Sequence, residues 1–123
     1  MIDYTKSYRA AAIILGYCMI VAGANDTVAQ AVDGSKPFIG VTGMMGAAAA
    51  DDMCDVKRER LQTVRYGAAV TRMDRLTSDA NGHAVPVGVP DAGVTIHYLG
   101  YAEVDGVDGD LGEVFIAPGS ITG

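Results

Sequence analysis

The sequence predicts an all-β protein, and three observations carry that prediction. Sixteen of the 123 residues are glycine, with no Gly-X-Y period or low-complexity tract to absorb them. Such an excess over the usual share of about 7% belongs to turns and bulges between short strands. Apolar residues alternate with polar ones in several short runs, residues 53–57 and 94–99 among them, the period of a half-buried strand. No stretch keeps helical spacing beyond about two turns, too little to hold a helix without packing. Hydrophobic residues reach 50% although aromatics are only 7% and tryptophan is absent, so small apolar side chains must fill the core. The length suits one compact unit, and the composition is too apolar for a disordered chain.

Along the chain, residues 1–9 mix polar side chains with two tyrosines and show neither clean alternation nor helical spacing. They read as an extended N-terminal arm that leaves its own domain, and residues 10–123 read as a single β-rich domain. The apolar run of residues 10–24, preceded by Lys6 and Arg9, has the outline of a secretory signal. Gly16, Tyr17 and the β-branched Ile13, Ile14, Ile20 and Val21 suit a buried strand instead. The run is also shorter than the roughly 20 residues that cross a bilayer. It is therefore expected to give a strand, or a bent pair broken at Gly16, over residues 10–21 of a protein made in the cytosol with no membrane partner.

A short strand is predicted over residues 28–32, ended by the turn at Asp33 and Gly34, and another over residues 38–42. Residues 43–52, with Met44, Met45 and four alanines, read as a loop or a single helical turn. Alternation from Met53 to Lys57 predicts a strand, Arg58-Glu-Arg60 a hairpin bend, and residues 61–66 the next strand. Asn81-Gly82 marks a tight turn, because both residues tolerate positive φ. Pro86 and Pro90 mark an irregular crossing, not a central strand. Residues 94–99 and 113–117 complete the strands. Laying Gly40 on Gly100, and shifting the rest of the chain in step, matches Ile39-Gly-Val-Thr with Leu99-Gly-Tyr-Ala and Met53-Cys-Asp-Val with Glu113-Val-Phe-Ile. Two equivalent strand-loop-strand units of this kind would close into a small barrel or sandwich.

The chemistry-bearing residues are few. The net charge is −6, yet Lys57, Arg58, Arg60, Arg65, Arg72 and Arg75 crowd one stretch, and no lysine or arginine follows Arg75. That asymmetry suits contacts between unlike faces in a lattice and argues against a nucleic-acid partner, which asks for net positive charge. Cys18 and Cys54 lie among apolar neighbours and read as buried free thiols. His83 and His97 are the only histidines, and no Cys-x-x-Cys pair accompanies them, so neither a metal nor a cofactor is expected. No phosphate-cradling loop or nucleophile elbow is present, and no catalytic residue is expected. The loop of residues 105–113, with Asp105, Asp108, Asp110 and Glu113, is the one stretch like a cation site. Its spacing fails the EF-hand pattern, and Asp-Gly pairs also serve tight turns. It keeps open the alternative of a small ligand- or cation-binding β-barrel.

Met73-Asp-Arg-Leu-Thr-Ser-Asp-Ala-Asn-Gly-His-Ala84 resembles the segment Gly-Asp-x-Leu-Thr-Ser-Asp-x-x-Gly-x-Ala of tailed-phage capsid decoration (cement) proteins of the DUF2190-like group. Residues 100–116, a Gly-x-Ala strand, an acidic glycine-rich loop and Gly-Glu-Val-x-Ile, are similar to that group as well, as is the Ile-Gly-Val stretch of residues 39–41. Met73 stands where the group has glycine. The resemblance implies a β-tulip-like structural subunit without catalysis, on the exterior of the virion capsid and made in the host bacterial cytoplasm. Its partners would be the major capsid protein, bound between capsomers, and copies of itself, commonly as a homotrimer. A tail or baseplate β-module of the same virus is the neighbouring alternative. Ile2, Tyr4, Lys6, Tyr8 and Arg9 of the arm, with Arg58 and Arg60, are the expected partner contacts: tyrosine gains from burial at an interface, and the basic groups would meet acidic ones.

Overall fold

The computed structural model describes residues 5–58 and 60–123, with side chains from Ser7 onward. Among the described residues it holds ten strands and no helix: β1 (Thr5–Ala10), β2 (Met19–Ala22), β3 (Thr27–Gln30), β4 (Phe38–Thr42), β5 (Met53–Lys57), β6 (Leu61–Arg65), β7 (Arg75–Ser78), β8 (Ala84–Pro86), β9 (Thr95–Ala102) and β10 (Leu111–Thr122). The first five close into a barrel in the order β1-β3-β2-β4-β5, and the others form a sheet in the order β6-β10-β9-β7-β8. Alternation sets the facing as expected. Cys54 and Val56 of β5 are buried between exposed Met53 and Asp55, and Gly112, Val114 and Ile116 of β10 alternate with exposed Glu113 and Phe115.

The two sheets repeat one pairing pattern. Ile20, Val21 and Ala22 face Gln30, Ala29 and Val28; Leu76, Thr77 and Ser78 face Pro86, Val85 and Ala84 in the same way, so that Ile20 corresponds to Leu76 and Ala22 to Ser78. Met19 and Ile20 face Val41 and Gly40 as Arg75 and Leu76 face Tyr101 and Gly100. Tyr8 faces Cys54 as Val64 faces Gly112. The register that lays Gly40 on Gly100 is thus right for β4 and β9, but Met53 corresponds to Leu111 and not to Glu113. The reason is loop length: ten residues separate β4 from β5 and eight separate β9 from β10. Gly40 and Gly100 share one role, since a Cβ at either would collide with a carbonyl oxygen of the neighbouring strand, that of Lys57 or of Phe115.

The first barrel is filled by Ala10, Ile14, Ile20, Val28, Ala47, Cys54 and Val56. The pairings place Tyr66, Val70, Leu76, Ala84, Gly106, Gly112 and Val114 at the corresponding positions of the second sheet. One position has gained a phenol ring, and three opposite it have lost atoms. A Cβ on Gly106 or Gly112 would run into the Tyr66 ring, and the buried Tyr66 hydroxyl donates to the Val104 carbonyl at 2.8 Å. One framework is packed two ways, with volume roughly conserved.

The units also share a core. Met19, Val21, Ala31, Phe38 and Val41, on the outer face of the first barrel, merge with Val64, Leu99, Ile116 and the rest of the second core into one buried cluster. In the first barrel Arg9 pairs with Thr27 and Ala10 with Val28, which closes the seam between β1 and β3. In the second sheet the bridge of Tyr66 to Ala84 repeats the latter pair. The other is replaced: the Arg65 amide donates to Tyr17 O at 3.0 Å, and the Met19 amide to Gly82 O at 2.9 Å. Residues 17–19 enter the gap between β6 and the β7–β8 turn, and so satisfy backbone groups that would otherwise be buried unpaired.

Three expectations are corrected. Residues 5–9 do not leave the domain: they belong to β1, which pairs with β5 from Thr5↔Lys57 to Arg9↔Met53. Exposed Ser7 and Arg9 alternate there with half-buried Tyr8 and buried Ala10, an alternation that tyrosine obscures because it is neither clearly polar nor clearly apolar. Residues 10–21 are strand only at their ends, not along one strand or a pair bent at Gly16. Ala10 ends β1, Ile13 and Leu15 are exposed around buried Ile14, and Tyr17 takes φ 59° before β2 begins. The chain reverses here, and reversal overrides β propensity. The hairpin bend expected at Arg58-Glu-Arg60, where Glu59 lies outside the described residues, would join paired strands, whereas β5 pairs with β1 and β4 and β6 pairs with β10; the chain passes there from one unit to the other.

Candidate functional site

Of the expected contact residues, Ile2 and Tyr4 lie outside the described residues, and Lys6 is described only by its backbone, opposite Val56. The structure brings Tyr8 and Arg58 together: the Tyr8 ring packs on the first barrel's own core, and its hydroxyl accepts from Arg58 Nη1 at 3.0 Å. Arg9 turns to the β2–β3 turn, donating from Nη2 to Asn25 O at 3.2 Å and lying 3.5 Å from Asp51. Arg60 is exposed at φ 67°, and its carbonyl accepts from the Ile116 amide at 2.9 Å. The described members of the set are therefore spread over strand β1 and the crossing between the units.

The stretch Met73–Ala84 organises backbone. Met73 holds φ 75°, the left-handed conformation that glycine reaches without strain, so the turn survives the replacement. Leu76 enters the second core, and Asp79 Oδ1 accepts from the amides of Asn81 at 2.8 Å and His83 at 3.0 Å. Gly82 holds φ +75°, and a Cβ there would press on Gln30 and Cys18 of the first barrel. The motif thus builds the turn against which the first barrel docks. In the acidic loop, Asp105 Oδ1 accepts from the Arg72 amide at 2.6 Å and Asp110 Oδ2 from the Val107 amide at 2.9 Å. These carboxylates hold turns, and among the described residues no three of His, Cys, Asp or Glu gather as metal ligands.

Both cysteines are buried free thiols. Burial pushes Cys18 up to about 11 against the opposing pull of Arg65, and burial followed by the Asp55 charge raises Cys54. Neither is a thiolate nucleophile near neutrality.

What the surface offers is apolar contact. Met44 and Met45 are 71% and 85% exposed and line a shallow groove with Met53, Asp55 and Lys57. On the outer face of the second sheet Leu61 lies opposite Phe115, both about half exposed, where the first barrel carries Thr5 opposite Lys57. Arg65 stands opposite Leu111 on the same face. The methionines are visible in the sequence as a pair, whereas the Leu61–Phe115 pair is made only by the register of β6 on β10.

No protein-family model matches the chain, and no curated protein is similar to it. The fold is similar to a solved structure, the N base of head fiber gp8.5 in bacteriophage phi29, with a TM-score of 0.68 and 20% identity over 94% of this chain and 95% of that one. At that identity the likeness is one of fold.

Proposed function

We propose that the chain is a structural, non-catalytic subunit of the outer surface of a tailed-phage head: a decoration (cement) protein that binds the major capsid protein between capsomers and braces the shell against the pressure of packaged DNA. The observation that carries this reading is the likeness of fold to a phage head-fiber base over nearly the whole chain. The roles of the Met73–Ala84 residues support it, since that motif serves to hold the first barrel against the second sheet. Such a subunit works through binding energy alone, many modest contacts multiplied by avidity across a lattice. The exposed methionines and the Leu61–Phe115 face suit that task, with Arg58 and Arg60 as polar contacts. The test is co-sedimentation of the purified chain with expanded, DNA-free heads of the virus that encodes it. Saturable pelleting with the heads, and heads that withstand higher temperature when decorated, are expected; a chain left in the supernatant at every concentration overturns the reading.

The same likeness favours a second reading, in which the chain is the foot of a projecting fiber. Electron microscopy of decorated heads separates the two, because cement leaves a low collar of density and a fiber foot carries a protrusion.

A further inference from the structure

We propose that copies of this chain join head to tail, the outer face of β7 and β9 on one copy seating in the groove beside β1 and β3 of the next. This is the contact the two units already make inside one chain, repeated between chains.

Within the chain the docking face is Met19, Val21, Ala31, Phe38 and Val41. By the shared register its counterparts on the second sheet are Arg75, Thr77, Val87, Tyr98 and Tyr101. Thr77 is buried, its hydroxyl donating to His97 O at 2.9 Å. Gly34 of the first unit lies against Thr77 and accepts from the His97 amide at 2.8 Å, and beyond it Arg75 is exposed and Val87, Tyr98 and Tyr101 are half-buried. The two tyrosine rings lie 6.1 Å apart, and the Arg75 guanidinium sits 5.6 Å from the Tyr98 ring centre. Tyrosine and arginine are the residues that dominate binding energy at protein interfaces.

The receiving surface is duplicated too. On the second sheet it includes Val64, Arg65, Gly82, Ala84 and Leu99, and their counterparts Tyr8, Arg9, Asp26, Val28 and Ile39 stand beside Ala22, the counterpart of Ser78. Those six line one open groove of the first barrel. Charge then selects the occupant. In the intrachain contact Met19 meets Gly82, amide to carbonyl at 2.9 Å. At the corresponding positions the free face carries Arg75 and the open groove carries Asp26, both exposed and opposite in sign. A second copy brings an arginine to the place where the groove offers a carboxylate. Seating exchanges the Arg9–Thr27 pair, whose counterpart is already parted within the chain, for contacts with residues 73–75 of the incoming copy. The interface is heterologous, so it generates a ring or an open filament according to the rotation between copies.

The test uses the purified chain alone, so its outcome is separate from that of the capsid reading. Light scattering over a concentration series is expected to show masses at multiples of 12.7 kDa. Arg75→Asp and Asp26→Lys, both at exposed positions, should each weaken self-association by roughly tenfold or more. Mixed in equal amounts the two variants should associate again, because the intact Arg75 of one copy meets the intact Asp26 of the other and the two substituted groups are also opposite in sign. Ala22→Trp, which blocks the groove from an exposed site, replaces Asp26→Lys if the left-handed backbone there rejects lysine. A wild-type chain that stays monomeric throughout, variants that assemble as the wild type does, or a mixture that restores nothing each overturns the proposal.

Discussion

At the scale of single residues, the decisive position is Tyr66. It occupies the place that Ala10 holds in the first barrel, and it fits only because Gly106 and Gly112 stand where that barrel has Ala47 and Cys54. Tyr66→Ala should cost about 3–5 kcal/mol, as emptying a packed aromatic site does. Gly112→Ala, which forces a methyl into the ring, should cost about 1–3 kcal/mol. Together they should cost clearly less than their sum, because the methyl then enters the space the ring has left. Urea unfolding of the two single variants and the double variant measures this; additivity within about 0.5 kcal/mol would show that the two positions share no space. The sequence shows these glycines as loop and strand residues without showing that they make room for a ring, since the ring belongs to a strand end far from them along the chain.

At the scale of elements, the two units hold one strand register with different turns, two left-handed residues (Asn25 and Asp26) in the first and one (Gly82) in the second. The β7–β8 turn uses Gly82 at φ +75°, and the β2–β3 turn uses Asp26 at φ 63°. A side chain in the left-handed region is strained, and at Gly82 a Cβ also presses on Gln30 and Cys18. Gly82→Ala should therefore lower stability by about 1–3 kcal/mol. Asp26→Gly should leave stability unchanged or raise it by about 0.5 kcal/mol. Thermal denaturation of both variants gives the comparison, and a Gly82→Ala variant as stable as the wild type would show that a side chain is tolerated there. The Asn81-Gly82 signal was legible because turn chemistry is local. The end of β1 at Ala10 and the reversal that follows were not, because an apolar run reads alike whether it continues straight or folds back.

At the scale of the whole molecule, one buried cluster crosses from the first barrel into the second sheet, and residues 17–19 complete a seam that β6 and β8 leave open. The chain should unfold in a single transition, with tyrosine fluorescence and far-ultraviolet circular dichroism giving coincident curves. Residues 60–123 expressed alone should lack the native sheet, because Val64, Leu99 and Ile116 lose their cover and the Arg65 amide and Gly82 carbonyl lose their partners. A well-dispersed native-like spectrum from that fragment would refute the dependence. Removing residues 1–9 is likewise expected to open the first barrel, since it deletes most of β1.

By itself the sequence determined the class, most of the strands and the existence of a repeat. Those properties live in composition, in a period of two and in turn residues, all of which act over a few neighbours in the chain. It did not determine that the repeat covers all ten strands, because the offset between equivalent positions changes along the chain and the corresponding side chains differ, Ala10 against Tyr66 and Met19 against Arg75. Tertiary structure decided which chain segment closes each seam and which outer face is covered. Those outcomes depend on backbone groups and apolar surfaces far apart in sequence that compete for one partner, and only the folded arrangement shows which partner wins.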